Sequence, residues 1–401
     1  QNIEVKVEQI TQGSHHHFFG YIGQSLTIPW SKDGNRLLCL SSPFHDHLPG
    51  KDEPAAVNLI HLNKKENGQY KLEKLDESQG WNPQQGTMFY CNPHQPSHHF
   101  FFNDRDPKTG VVYTVLFDQQ KKQRLKTYQY GNHSFGNSGV CPTGKYFLAI
   151  NYARMARLRP VTGYKDSFDI TEGIATPKDD GIAIIDIRTG KKKILISFDQ
   201  MAEGLDRSGF DAKGRNLFIN HTLWSRDGKW IYFFVRGGWQ ADKDGREGIN
   251  AACTISVDGS QFIAGHQHIG GHPEWGNGTQ IIGSSNQQQV IYDILDRKIV
   301  STLGDSDIFP KPEGDVSLSP DGEWLINGYN FKTGANFYSL LNLKTGVSLK
   351  TPSFDTGVYS KDLRIDPAPR WNHDSNQVLV SGLDSKGIRQ LFIMSFIQKR
   401  V

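Results

Sequence analysis

Fifteen histidines are unevenly spread along this sequence and are its most obvious carriers of chemistry. Three are consecutive: His15-His16-His17 stand between an alternating run and the aromatic–glycine stretch Phe18-Phe19-Gly20-Tyr21. A histidine at a strand start suits general acid–base work, because its proton affinity lies near neutrality. A structural role for at least two of the three is the competing expectation. His45-Asp46-His47 supplies a further imidazole pair with its own carboxylate, or a polar turn ahead of Pro49. His221 and His272 each open a repeat, at Asn220-His221 and Gly271-His272-Pro273, with His266 and His268 just before the second. Matching positions of successive repeats converge on one face, so these two could share a divalent metal such as zinc, manganese or calcium. A full site needs three or four ligands. The next matching positions are Asp315, which can ligate, and Ala368, which cannot.

A second group is cationic and aromatic. Arg154, Arg157, Arg159 and Tyr164 share one stretch, and Arg236 ends a strand shortly before Trp239. Arginine forks onto carboxylates and aromatic rings stack on pyranose faces, so this set suits an acidic sugar. Alternatively, about half of it pins its own loop by pairing with Asp166, Asp169, Asp179 or Asp180. The sequence carries no GxSxG, P-loop, HExxH or GxGxxG motif. The carboxylate pair of an ordinary glycoside hydrolase is not visible as a motif either.

These residues need a scaffold, and a repeated turn supplies one. Trp30-Ser31-Lys32-Asp33-Gly34, Trp224-Ser225-Arg226-Asp227-Gly228 and Leu318-Ser319-Pro320-Asp321-Gly322 each precede an apolar run. Weaker copies are Cys141-Pro142-Thr143-Gly144, Trp275-Gly276-Asn277-Gly278 and Trp371-Asn372-His373-Asp374, and Trp81-Asn82-Pro83-Gln84-Gln85-Gly86 fills the long gap. Asp-Gly provides the positive-φ turn of a hairpin, and the preceding aromatic packs between neighbouring sheets. A second hairpin turn recurs at Asp186–Gly190, Asn342–Gly346 and Pro107–Gly110. The pattern predicts an all-β chain: one seven-bladed β-propeller of four-stranded antiparallel blades over residues 1–401. The run over residues 3–10 should complete the last blade, and residues 152–180 read as a loop insertion over one face.

The formal charge of +3 argues against nucleic-acid binding, which favours a clustered basic face. No apolar stretch reaches the roughly 20 residues of a membrane span. The opening at Gln1-Asn2, without Met, reads as the product of signal-peptide removal, hence a secreted or periplasmic protein. Cys39, Cys91, Cys141 and Cys253 form no CxxC pair and are expected as buried core residues. A monomer is expected.

Several of these stretches, taken together, resemble the propeller enzymes that include oligogalacturonate lyases, ulvan lyases and enzymes acting on rhamnose–glucuronic acid linkages. They are His16 to Tyr21, Trp81 to Gly86, Asn103-Asp104-Arg105, Asn151-Tyr152-Ala153-Arg154 with Arg159-Pro160, Asp179-Asp180-Gly181, Asn220-His221 and Pro369-Arg370-Trp371. The resemblance implies an extracellular enzyme for acidic plant or algal polysaccharides, with Arg370 joining the substrate-binding arginines. In the lyases of the group, His, Tyr and Arg remove the C5 proton beside a metal held by histidines. His221 and His272 match that metal framework, whereas Asp315 and Ala368 depart from it. A sister branch, similar to glycoside hydrolase family 145, comprises α-L-rhamnosidases that use a histidine on the opposite face and require no metal. The retained cluster of His15, His16 and His17 beside a depleted metal framework implies that branch. The expected activity is therefore exo-acting removal of rhamnose linked to glucuronic acid. Lyase cleavage is the first alternative and a non-catalytic glycan-binding propeller the second.

Overall fold

The computed structural model describes residues 3–20, 26–239 and 242–399, so Tyr21 and the opening Gln1-Asn2 lie outside it. The chain divides into two compact units. The first comprises Gln1–His47, Ala55–Glu77 and Ile269–Val401, and the second Leu48–Pro54 and Ser78–His268. Both are built mostly from antiparallel four-stranded sheets. No helix among the described residues is long and apolar enough to cross a membrane.

The recurrent turn explains these sheets. In Ser31, Ser225 and Ser319 the hydroxyl donates to the aspartate two residues on, at 2.6, 2.7 and 2.5 Å. The same oxygen accepts the amide N–H of Arg36, Trp230 or Trp324, at 2.9–3.0 Å, where the second strand begins. Glycines at φ 70, 70 and 76° (Gly34, Gly228, Gly322) complete the reversal. The aromatics before these turns are core residues. Trp30, Trp81, Trp224, Trp275 and Trp371 are among the largest fully buried side chains. Trp224 donates its indole N–H to Gly139 O at 2.9 Å and Trp371 to Ser317 O at 3.1 Å, each reaching the preceding sheet. Cys39, Cys141 and Cys253 are buried, and Cys91 is half-buried.

One of the seven turns is misplaced by the sequence reading. Trp81–Gly86 precedes the short first strand Tyr90–Cys91 instead of following it. The first turn of that sheet is at Asn92, whose side chain accepts the His94 amide at 3.1 Å. Trp81–Gly86 is instead a buried loop, in which Asn82 accepts the amides of Gln84 and Gln85 at 3.0 and 2.7 Å.

In the first unit, Ile3–Gln9 pairs antiparallel with Arg389–Gln398, so the chain start completes the sheet made by the chain end. A second sheet contains His16–Phe18, Arg36–Ser42, Ala55–Glu66 and Gln69–Ser78. A nine-stranded sheet fills the rest. Its two antiparallel halves begin at Gly270–Trp275 and Asp315–Leu318 and are joined by the parallel pair His272–Asp315. Glycine permits that close approach. A Cβ on Gly271, at φ 75°, would lie 2.8 Å from Gly314 O, and one on Gly314 would lie 2.1 Å from Gly328 O.

The second unit holds three sheets, beginning at Tyr90–Cys91, Phe135–Val140 and Leu217–Trp224. The stretch 152–180 does connect the second and third strands of one of them, but it opens as a helix, α1 (Tyr152–Leu158). Asn151 caps α1 by accepting the Ala153 and Arg154 amides, which is why helix begins directly at the strand end. A second helix, α2 (Phe198–Arg207), starts with a Ser197–Gln200 capping box.

Candidate functional site

The first unit gathers a network of ionisable groups around the parallel pair. His272 Nδ1 hydrogen-bonds Asp315 Oδ1, and Asp315 Oδ2 accepts the amide N–H of Ala368 at 2.9 Å. Ala368 sits between two prolines at φ 38°, a strained value for a non-glycine residue, which sends its N–H to the carboxylate. Burial alone would raise the Asp315 carboxyl. The facing His272 ring, the Ala368 amide and Arg370 together outweigh burial, so Asp315 is held below the usual carboxylate range.

Asp366 is the counterpart. It is equally buried, and its Oδ1 accepts the Arg364 Nε–H at 2.8 Å, while Oδ2 has no hydrogen-bond partner among the described residues. Burial first, and then repulsion from Asp315, raise its proton affinity; Arg364 and His272 oppose that only in part. Two buried carboxyls in one network thus have their proton affinities driven apart. The segment carrying Asp366 is fixed by Asn336, which donates to Ile365 O at 2.9 Å, and by the hydroxyl of Tyr338, which donates to Pro367 O at 2.8 Å.

Arg389 connects this network to the histidines near the chain start. Its guanidinium is buried, lies 5.0 Å from the Phe18 ring, and donates Nε–H to Ser381 at 3.1 Å. Burial lowers its affinity to about 10, against the charges of Asp366 and the Tyr359 and Tyr338 hydroxyls. Its backbone N–H donates to His16 Nδ1 at 3.1 Å. The His16 ring therefore carries its proton on Nε2, and burial followed by Arg389 lowers its affinity, favouring the neutral ring. Around it stand His45, 5.6 Å away between ring centroids, and Tyr359, 6.5 Å away and edge-on. His45 donates Nε2–H to Leu363 O at 2.9 Å and is pushed down to about 3 by burial and by Arg389.

The three adjacent histidines therefore take three different places. His15 is exposed, His16 is half-buried in the network, and His17 is almost fully buried with Nδ1 2.9 Å from Gln390 Oε1. Burial depresses His17 to about 4. Its folded value lies below the unfolded one, so its contribution to stability is complete above about pH 6.5 and is lost as pH falls towards 4. That contribution is about 3 kcal/mol. Urea unfolding of His17→Gln should accordingly show a shallower loss of stability between pH 6.5 and 4.5 than the parent. Parallel curves would refute it.

The cationic set divides in two. Arg154 is buried: Nε–H donates to Leu217 O at 2.7 Å, and its terminal nitrogens donate to Thr171 Oγ1, Ile174 O and Ala175 O at 3.0, 3.0 and 2.5 Å. Arg157 pairs with Asp169 at 2.9 Å. Tyr164 is fully buried, stacked on Tyr152 at 4.5 Å, and accepts from Asn103 at 2.9 Å. These three hold the 152–180 segment. By contrast, Arg159 and Arg236 converge on one half-buried ring, with guanidinium carbons 5.8 and 4.6 Å from the Trp239 centroid. His221 and His268 stand nearby, 5.9 and 6.4 Å from the Phe234 ring. His221 lies at φ 59° in a strand irregularity, a further strained position. His266 is separate, bonded to Thr254 at 2.8 Å.

His221 belongs to the second unit and His272 to the first. Among the described residues no three His, Cys, Asp or Glu side chains are grouped so as to hold a metal. In the first unit, Asp315 turns its oxygens to His272 and Ala368, while Arg370 is buried with Nη1 donating to Pro369 O at 2.8 Å. This donor set does not fit a divalent cation. Asp366, Arg364, Arg389, Tyr338 and Tyr359 escaped the sequence reading. Only the Asp366-Pro367-Ala368-Pro369-Arg370 run, whose prolines mark fixed backbone, hinted at them.

No family model matches the sequence, and no curated protein does. Solved structures do share its fold. An oligogalacturonate lyase in complex with manganese matches over 99% of this chain and 96% of its own, with 15% identity and a TM-score of 0.63. A prolyl endopeptidase structure matches 97% of this chain but 51% of its own, with 13% identity and a TM-score of 0.52. Sequence identities this low carry fold and nothing further. The chain is an all-β protein, mostly of antiparallel four-stranded blades, in a β-propeller arrangement.

Proposed function

We propose that the protein is a secreted glycoside hydrolase, an exo-acting α-L-rhamnosidase that removes rhamnose linked to glucuronic acid in arabinogalactan-type polysaccharides. We read its nine-stranded sheet as two blades bridged at His272–Asp315, giving a monomeric seven-bladed ring. The observation carrying the hydrolytic reading is the divided carboxyl pair. Burial and the nearby Asp315 push Asp366 towards its protonated form while Asp315 is held towards its charged one, which sets an acid apart from a proton-accepting partner in one network. We assign the acid role to Asp366, whose buried Oδ2 must be uncovered for its proton to reach the leaving glycosidic oxygen. Of the three adjacent histidines, His16 is the one assigned to substrate. With Nδ1 accepting from Arg389, it acts through Nε2–H as a neutral donor to a sugar oxygen, not as a base.

A second reading, β-elimination of a uronic-acid linkage, is favoured by the Arg159–Trp239–Arg236 cluster. Two guanidiniums over an indole suit a uronate carboxylate and its ring. One assay separates the readings. Incubation with gum arabic should release free rhamnose without ultraviolet absorbance. Absorbance growing with cleavage would establish the lyase, since elimination leaves a C4–C5 double bond. A protein that binds uronate glycans and cleaves none would be the non-catalytic alternative.

A further inference from the structure

We propose that the first unit carries a second, non-catalytic sugar site: a cavity floored by His17 that takes a neutral sugar unit of the polysaccharide. The choice of ligand rests on the glycan reading above, whereas the cavity itself is a matter of geometry.

The cavity has a volume of about 420 Å³, within the roughly 300–1,000 Å³ of small-molecule sites. It lies between the segment that follows the strand Ile3–Gln9 and the hairpin joining Ala55–Glu66 to Gln69–Ser78, all within the first unit. Its floor is buried and made by Ile10, Thr11, His17 and Ile60. Its mouth is exposed and carries the side-chain amides of Gln12, Asn67 and Gln69. Neighbouring strand residues point to opposite sides, so His17 turns away from the network that holds His16.

The floor presents one open acceptor. The amide oxygen of Gln390 carries no proton, so it accepts the Thr11 hydroxyl at 2.6 Å and His17 Nδ1–H at 2.9 Å. The His15 carbonyl stands beside the same amide, 3.4 Å from its nitrogen, so the partners of the His17 ring gather at Nδ1. Nε2 then holds the lone pair of the neutral ring and has no hydrogen-bond partner among the described residues. Burial lowers the proton affinity of the ring and so keeps that lone pair available. A buried acceptor left without a donor is costly, and a ligand hydroxyl relieves that cost.

The walls specify what carries the hydroxyl. Their charges are already matched. Lys71 pairs with Glu66 at 3.3 Å, and Glu8 accepts the Tyr70 hydroxyl at 2.7 Å beside Lys65, which is 3.3 Å from the same carboxylate. A uronate carboxylate would therefore meet no unmatched cation in these walls. The three mouth amides make no hydrogen bond to a described residue, and each offers both a donor and an acceptor, as a hydroxyl requires. Ile10, Ile60 and Leu72 add an aliphatic surface for the C–H face of a pyranose. This set fits a neutral sugar better than an acidic one.

The test uses the purified full chain. A neutral galactose trisaccharide and, separately, glucuronic acid are titrated in by calorimetry while the imidazole nitrogen resonances of His17 are followed. We expect the trisaccharide to bind and to shift His17 Nε2, and glucuronic acid to leave that resonance in place. His17→Phe removes the acceptor, and Asn67→Ala with Gln69→Ala trims the exposed mouth without touching the floor. Each should weaken trisaccharide binding about 3–10-fold, the worth of a neutral hydrogen bond. The mouth variant keeps the test decisive if His17→Phe does not fold. Unchanged binding in the mouth variant, a His17 Nε2 that the trisaccharide does not move, or an equal shift from glucuronic acid overturns the inference. None of these readouts needs turnover. A chain that binds the trisaccharide at His17 but releases no rhamnose keeps the site and loses the hydrolytic reading. One that releases rhamnose with His17 unmoved loses only the site.

Discussion

Replacing Asp366 with Asn should reduce rhamnose release by about 10²–10⁴-fold, the usual worth of a positioned general acid, while leaving the thermal unfolding midpoint unchanged or slightly raised. The two expectations have one cause. Asp366 is buried, its Oδ2 has no hydrogen-bond partner among the described residues, and burial with the nearby Asp315 raises its proton affinity. A neutral amide of the same shape removes the transferable proton without stranding a charge. Initial rates on gum arabic, set beside a thermal melt of the same preparation, decide the matter. A variant retaining a rate within a few-fold of the parent would remove Asp366 from the chemistry. A large fall in the melting midpoint would show its role to be structural.

The second large effect is on stability. Arg154→Ala should cost about 3–5 kcal/mol, as expected when one member of a buried polar network is deleted. Arg154 is only 1% exposed, and its guanidinium satisfies three backbone carbonyls and the Thr171 hydroxyl. It also lies 4.6 Å from the Phe198 ring at the start of α2. Truncation would leave four acceptors without their donor and open a cavity beneath the 152–180 segment. Chemical denaturation would measure the loss, and limited proteolysis should cut first within residues 171–175. Unchanged stability would mean that Arg154 is not a structural anchor and would restore it as a residue for substrate.

The contrast between Arg154 and Arg236 shows where sequence reading reaches its limit. Both were read as candidates for an acidic sugar, from residue type and neighbourhood. Arg154 follows a capped strand end and is drawn inward by the first turn of α1, where carbonyls of its own segment surround it. Arg236 ends a strand and packs on Trp239 at the surface of its sheet. Nothing in the local sequence separates these outcomes, because the partners of Arg154 lie 17–63 residues away. The adjacent histidines make the same point. Period-two alternation sends neighbouring strand residues to opposite sides, so His16 and His17 could not share a role. Which one met Arg389 depended on pairing with the far end of the chain.

What the sequence determined by itself was the local, repeated part of the structure: Ser-x-Asp-Gly turns, the buried aromatics before them, and the strand pairs they connect. Those features arise from interactions within about five residues, so their residue types suffice to specify them. The carboxyl pair was different. Asp315 entered as a departure from a histidine framework, and Asp366 went unnoticed. Tertiary structure decided their meaning by burying both, giving one a histidine and an amide, and giving the other an arginine and a repelling neighbour. Proton affinity is set by burial and by groups brought from 43 to 53 residues away as well as by the local Arg364, and no local pattern encodes the distant part.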